Sequence, residues 1–233
     1  VIGNKLVTKL FNAAKFVLSH DSFSTNNLIE LDSSFIKELS VLLEKVTDYY
    51  NNYQFAQGLQ ITEEFFWNTF TDNYLELVKK RVFNSEGNEK ASAVTSLRLG
   101  LSVILRLLAP VLPTITDEIW SWCFADETNT NSIHESNWPN KNEFLEFQQS
   151  KYDNSLEVAI KAIRSVRQSK TSEGIGLGKP VEKMKISTNQ MNFKILDFIF
   201  EDFSNASNCF DFEKDVNEDE NIIIEIISKT QEL

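Results

Sequence analysis

Ala91 to Pro110 reads ASAVTSLRLGLSVILRLLAP, and wound as a helix it is apolar on almost every side. Only Thr95, Arg98, Ser102 and Arg106 interrupt it, on one narrow strip. A helix with so little polar face needs neighbours all round, which is the place of the central helix of a bundle. Pro110 and Pro113 end it.

The neighbours are legible on both sides. Glu63 to Arg81, EEFFWNTFTDNYLELVKKR, gathers Phe66, Trp67, Phe70, Tyr74, Leu77 and Val78 into one stripe at about 100° per residue. Asn68, Asp72, Glu76 and Lys79 take the opposite side, Glu76 stands four residues before Lys80, and Phe65 falls outside the stripe. Thr62 is positioned to cap this helix, and its closing Lys79, Lys80 and Arg81 suit the negative end of a helix dipole. Upstream, Asp32 is the expected N-cap of a helix that runs to about Gly58. Before the polar break HDSFSTNNLIELD, a first helix carries Ile2, Leu6, Leu10, Ala13 and Val17 on one face. Lys5, Lys9, Asn12 and Lys15 lie on its other face, and no acid precedes Asp21. Downstream, Thr114 with Asp117 has the spacing of a capping box for ITDEIWSWCF.

These elements predict a mainly α protein, an up-and-down α-helical bundle over residues 1–125 with a small C-terminal α/β appendage. Residues 126–180 are expected to form a linker loop, a basic helix from about Asp153 to Lys170 and a glycine turn. That helix sets Leu156, Ile160, Ile163 and Val166 against Lys161, Arg164 and Gln168. Residues 181–233 form the expected appendage, with strands at KMKIS, CFDF and NIIIEIIS and a helical stretch around FKILDFIFEDF.

A hydrophobic share of 42% and a charged share of 24% fit a soluble globular chain. No uninterrupted apolar run approaches the roughly 18 residues of a membrane span, so no membrane is expected. There is no initiating Met, and the helical start reads as a cut made inside a longer polypeptide. Cys123 and Cys209 are far apart and His20 and His134 are isolated, which points to a reducing compartment and away from a structural zinc site. The net charge of −11 is unevenly spread. Residues 1–150 hold 12 cations against 19 acids, residues 151–195 hold 9 against 4, and residues 196–233 hold 2 against 11. A polyanion would therefore have to be met by local basic stripes.

TSEGIGLGKP, Thr171 to Pro180, fails as a phosphate loop. Glu173 stands where the first Gly is needed and Pro180 follows Lys179. A helix stop and hinge is the better reading. No Ser/His/Asp or Cys/His grouping stands out, so no catalytic residue and no metal ligand is assigned.

Five segments in order carry a resemblance: FNAAKFVL (11–18), YQFAQGL (53–59), FFWNTFTDNYLELVKKR (65–81), LRLLAPVLPTITDEIWSW (105–122) and SIHESNWP (132–139). Over roughly residues 1–185 the chain resembles the C-terminal anticodon-binding region of the class I aminoacyl-tRNA synthetases for branched aliphatic amino acids. Trp67, Phe70, Asp72, Tyr74, Leu75, Glu76 and Lys79, with SIHESNWP and IKAIRSVRQSK, look like the valine branch. The isoleucine and leucine branches are the alternatives within the family. Gly58 stands where the family often has Ala, and Thr114 where it often has Phe.

The HIGH-like and KMSKS-like signatures are absent. The resemblance therefore implies a module that binds tRNA, with a valine acceptor, while ATP- and Mg-dependent activation belongs to a catalytic domain of the same polypeptide. No cofactor is expected in this chain, and the implied setting is cytoplasmic, as a monomer. Candidate RNA contacts are Lys5, Lys9 and Lys15; Lys79, Lys80 and Arg81; Arg98 and Arg106; and Lys161, Arg164 and Arg167. Phe65 is the stacking candidate. For each cation, solvated surface or a helix-end role competes. Arg98 and Arg106 have a second reading as internal ion pairs with acids such as Asp72 or Glu118. A structural bundle for protein interaction is the competing function, and the acidic balance favours it. An RNA binder should gather its cations on one continuous face.

Overall fold

The computed structural model describes residues 2–20, 25–147 and 150–227. Val1, the DSFS of the polar break and the Ser228 that closes NIIIEIIS lie outside the described residues. Helix α5 (Gly87–Leu108) takes the centre. Around it pack α1 (Ile2–Leu18), α2 (Glu30–Asn51), α3 (Phe55–Glu64), α4 (Leu75–Asn84) and α6 (Pro113–Ser121). By length and apolar composition α5 matches a membrane span, unlike the expectation from uninterrupted runs, but most of it is buried inside the bundle.

Close approach to α5 depends on Gly100. A Cβ there would lie 2.8 Å from the Phe35 ring and 3.1 Å from Phe70. Phe35 in turn stacks on Tyr74 with ring centroids 3.9 Å apart. Gly58 has a similar reason: a Cβ at that position would come within 2.6 Å of the Tyr50 ring.

Several helix boundaries differ from the sequence reading. The second helix stops at Asn51, because Tyr53 adopts a left-handed φ of 58° that breaks it. Thr62 is therefore not a cap but a buried residue of α3, its hydroxyl donating to the Gly58 carbonyl. Between α3 and α4 the helix widens into a π segment, Phe65–Tyr74. Wider turns shift the phase of the side chains relative to an α-helix. Phe65 comes inward, 9% exposed and facing Phe35, while Trp67 stays at the edge of the core. Likewise Pro113 opens α6, and Asp117 accepts from Ser132 Oγ and Ile133 N instead of completing a capping box.

Short helices follow: α7 (Phe124–Thr128) and two 3-10 turns at Ile133–Glu135 and Lys141–Phe144. Helix α8 (Ser155–Ser172) then lies against α2 and the π segment. The Glu30 carboxylate holds its approach, accepting from Lys151 N, Tyr152 N, Ser150 Oγ and Ser155 Oγ. Although burial alone would raise Glu30, those donors keep its pKa below the usual value.

The appendage is β1 (Lys183–Asn189), α9 (Gln190–Phe198), α10 (Phe200–Ser207), β2 (Asp211–Asn217) and β3 (Ile223–Ile226). Its sheet has the order β2-β1-β3, with β1 parallel to β2 and antiparallel to β3. Met184, Ile186 and Thr188 alternate inward along β1.

A buried ionic network joins appendage to bundle. Asp32 is not an N-cap. It sits in the first turn of α2, fully buried, and accepts from Arg81 Nη1 at 2.7 Å, Arg81 Nη2 at 2.9 Å, Tyr74 Oη at 2.6 Å and Ser92 Oγ. Arg81 Nε donates to Asp202 on α10 at 2.9 Å. Two carboxylates thus share one guanidinium, and the surplus negative charge falls on the less well-bonded Asp202. Burial, opposed by Arg81 and reinforced by Asp32, raises its pKa to about 6.

The sign of the pH dependence follows. A folded pKa above the usual carboxylate value means that the folded state binds the proton more tightly. Asp202 therefore penalises the fold above pH 6, and the penalty fades as the pH falls towards 4. Asp202→Asn is expected to be more stable than the parent by roughly 1–3 kcal/mol at pH 8, with the gap shrinking on acidification. Urea unfolding of both proteins between pH 4.5 and 8 checks this; a gap that does not narrow contradicts it.

Candidate nucleic-acid interface

Helices α1, α4, α8 and α10, with the π segment, enclose a cleft of about 700 Å³. Its floor is apolar, with Phe16, Ile163 and Val166; its polar lining joins amides and cations to two acids, Asp72 and Glu76. Lys9 and Asn12 come from α1, Lys79 and Lys80 from α4, and Arg167 from α8. On α1 the spacing of Lys5, Lys9 and Asn12 by four and three residues puts all three on one helical face. A shallower groove continues past Lys9 to Lys5, Thr8 and Trp67.

The four rim cations are held. Lys9 pairs with Asp72, and its Nζ lies 4.1 Å from the centre of the Trp67 ring. Lys79 pairs with Glu76 at 3.1 Å, so Glu76 takes Lys79 rather than the Lys80 expected from spacing. Lys80 donates to the Asn208 side chain at 3.1 Å. Arg167 braces α8 against the π segment, donating to Asn73 Oδ1 at 2.9 Å and to the Asp72 carbonyl at 2.7 Å. Three of its five N–H donors are left over from those two contacts.

The remaining sequence candidates lie elsewhere. Lys15 is exposed with Nζ 5.2 Å from the Phe11 ring centre, Lys161 pairs with Glu157 along its own helix, and Arg164 is exposed. Arg81 is not a rim contact; its side chain is 3% exposed and spent on Asp32 and Asp202. Of the two readings for Arg98 and Arg106, internal pairing holds, with different acids. Arg98 meets Glu127, and Arg106 meets Glu143 at 2.6 Å. Those acids come from the segment after the bundle, which the sequence could not fold back onto the strip of α5. Phe65 is core, so it offers no stacking surface.

Two features escaped sequence reasoning. Trp67 packs against the core as the stripe predicts, but it is only half-buried and lies beneath Lys9. Tyr53, 83% exposed, and Phe55 form an edge-to-face pair at the α2–α3 turn, and nothing in helical periodicity singles them out. Among the described residues no cluster of three or more His, Cys, Asp or Glu is placed to hold a metal ion.

Such a cleft can do two things chemically. Cations and amides spaced along a rim match the phosphates of a nucleic-acid backbone, and the half-buried Trp67 beneath Lys9 offers its remaining surface to an unstacked base.

A family model described as the anticodon-binding domain of tRNA ligase matches residues 32–186. The valine–tRNA ligase of Wolbachia sp. subsp. Brugia malayi (strain TRS) is 36% identical over 206 residues, which cover 83% of this chain and 23% of that protein. That of Thermobifida fusca (strain YX) is 34% identical over 194 residues, 81% of this chain and 21% of the relative. That of Orientia tsutsugamushi (strain Boryong) is 31% identical over 217 residues, 84% and 25% respectively. The chain spans about a quarter of the length of these curated relatives.

Proposed function

Since this chain belongs to the anticodon-binding domain family of tRNA ligases, we propose that it grips the anticodon stem-loop of a tRNA. A valine tRNA is the first choice, because the relatives named above are valine–tRNA ligases. The ATP- and Mg-dependent ligation then falls to parts of the relatives that this chain does not span, and the module supplies grip and orientation.

The observation that carries this reading is the cleft in which Lys9, Lys79, Lys80 and Arg167 converge beside Trp67. Cations at the rim take phosphates, which fixes register without reading sequence. A base splayed from the loop stacks on the indole, and the exposed Asn12 amide offers both a donor and an acceptor to its edge. The overall charge of −11 repels RNA elsewhere, so a local cationic rim selects the docking face.

The test is a titration of the 233-residue chain with a valine tRNA transcript and with one carrying a substituted anticodon, across a salt series. Four phosphate contacts predict a slope of log affinity against log salt of roughly −3 to −4, with the native anticodon favoured. No binding to either transcript even at low salt would move the chain to the structural-bundle reading.

A further inference from the structure

Lys170 ends the buried face of α8 and is 1% exposed, but what surrounds its ammonium is backbone. Its three N–H donors meet three carbonyls: Leu177 at 3.0 Å, Lys179 at 2.7 Å and Ser207 at 2.8 Å. Burial pushes its pKa below the ordinary lysine value. The protonated form nevertheless matches all three donors to acceptors, which a neutral amine does not. Two of the carbonyls belong to the glycine loop between α8 and β1, and the third closes α10. One buried charge thus pins a loop whose residues 176–180 are exposed.

Pinning sets the direction of the loop's peptide groups. The described chain has no cis peptide, and in a trans peptide the carbonyl and the following N–H point opposite ways. With the Leu177 carbonyl turned in to Lys170, the Gly178 N–H is turned away from it. That N–H meets no acceptor among the described residues. Leu177 and Gly178 also line the cleft, together with Lys80, Arg167 and Lys170 itself. The carbonyls, which would repel a phosphate, are drawn inward. The donor is left out.

We propose that Lys170 is a positioning residue for RNA: it holds the glycine loop so that the Gly178 N–H meets a backbone phosphate lodged in the cleft. The proposal rests on the reading of that cleft as a tRNA site. It revives no nucleotide-cradling motif, since it assigns a single neutral donor beside cations on other helices.

The experiment is tRNA titration of the full chain at fixed salt with Lys170→Met, Gly178→Pro, Gly178→Ala and the double variant Lys170→Met/Gly178→Pro, each checked by thermal unfolding. Proline removes the N–H; alanine keeps it, and nothing lies within 4 Å of a Cβ built there. Lys170→Met and Gly178→Pro are each expected to weaken binding about 5- to 20-fold, by the loss of one hydrogen bond to a charged group. Gly178→Ala should bind like the parent. If Lys170 acts through that N–H, the double variant is no worse than Lys170→Met alone. Additive losses, or parental affinity in a folded Lys170→Met, overturn the proposal. Should Lys170→Met fail to fold, equal affinities of the Pro and Ala variants at 178 overturn it instead. A parent chain that binds no tRNA ends the cleft reading itself, whereas a parent weakened only by charge reversal at Lys5, Lys9 and Lys80 keeps the cleft and discards the loop.

Discussion

Arg81→Met is expected to lower the unfolding free energy by about 3–5 kcal/mol, the largest single-residue effect anticipated in this chain. Met roughly matches the volume and removes the charge, leaving Asp32 and Asp202 buried near each other with nothing between them. Two carboxylates cannot both stay ionised in that setting. Asp32 also loses the two strongest of its donors, and the loss is not recovered by water, because the site is closed. Burial alone would lower the Arg81 pKa, but Asp32 and Asp202 raise it well above the ordinary arginine value, so the guanidinium stays charged throughout the working range. The measurement is urea unfolding followed by tryptophan fluorescence. A triple variant that also carries Asp32→Asn and Asp202→Asn should regain part of the loss, since the stranded charges are gone. A loss below about 1 kcal/mol for Arg81→Met alone would mean that the network adds nothing beyond packing.

The second large effect concerns RNA. Lys5→Glu, Lys9→Glu and Lys80→Glu combined are expected to weaken tRNA binding by roughly 10²- to 10³-fold near 0.1 M salt, and to reduce the salt slope by about 2 to 3. Each of these cations lines the cleft or its continuation, and each reversal removes one phosphate partner. The control carries the same change in net charge: Lys15→Glu, Lys161→Glu and Arg164→Glu. Those three stand outside the cleft and its groove, so the control should lose less than about 10-fold through the weaker, screened field. Equal losses in the two triples would show that charge, not the cleft, governs binding.

What could be read in advance, and what could not, divides along a physical line. The central place of α5 was legible because an almost wholly apolar helix has no other stable surroundings. The Lys5, Lys9 and Asn12 face was legible for the same reason in reverse. Phe65 falls outside the predicted stripe because a 100° step assumes an α-helix, and the π segment breaks that assumption in the middle of the stretch. Arg81 closes a plausible three-cation helix-end pattern, and only tertiary folding, which brings Asp32 of α2 and Asp202 of α10 to it, turns it inward. Arg98 and Arg106 show the intermediate case. Their need for partners was visible in α5 alone, but the partners Glu127 and Glu143 were a matter of tertiary folding. Lys170 gave no signal at all, since its partners are carbonyls, which every residue has.

The three-way meeting of Asp32, Arg81 and Asp202 also orders events in time during synthesis. Asp32 and Arg81 are separated by 49 positions and Arg81 and Asp202 by 121. At about 5–20 residues per second, the second carboxylate leaves the peptidyl-transferase centre roughly 6–24 s after the arginine does. In that interval the residues already made supply one carboxylate, Asp32, for the one guanidinium. The late strand-and-helix segment therefore joins a neutral partner and brings an extra acid with it. Its docking takes up a proton whenever the surrounding pH is low enough to supply one, so that docking step is linked to acidity.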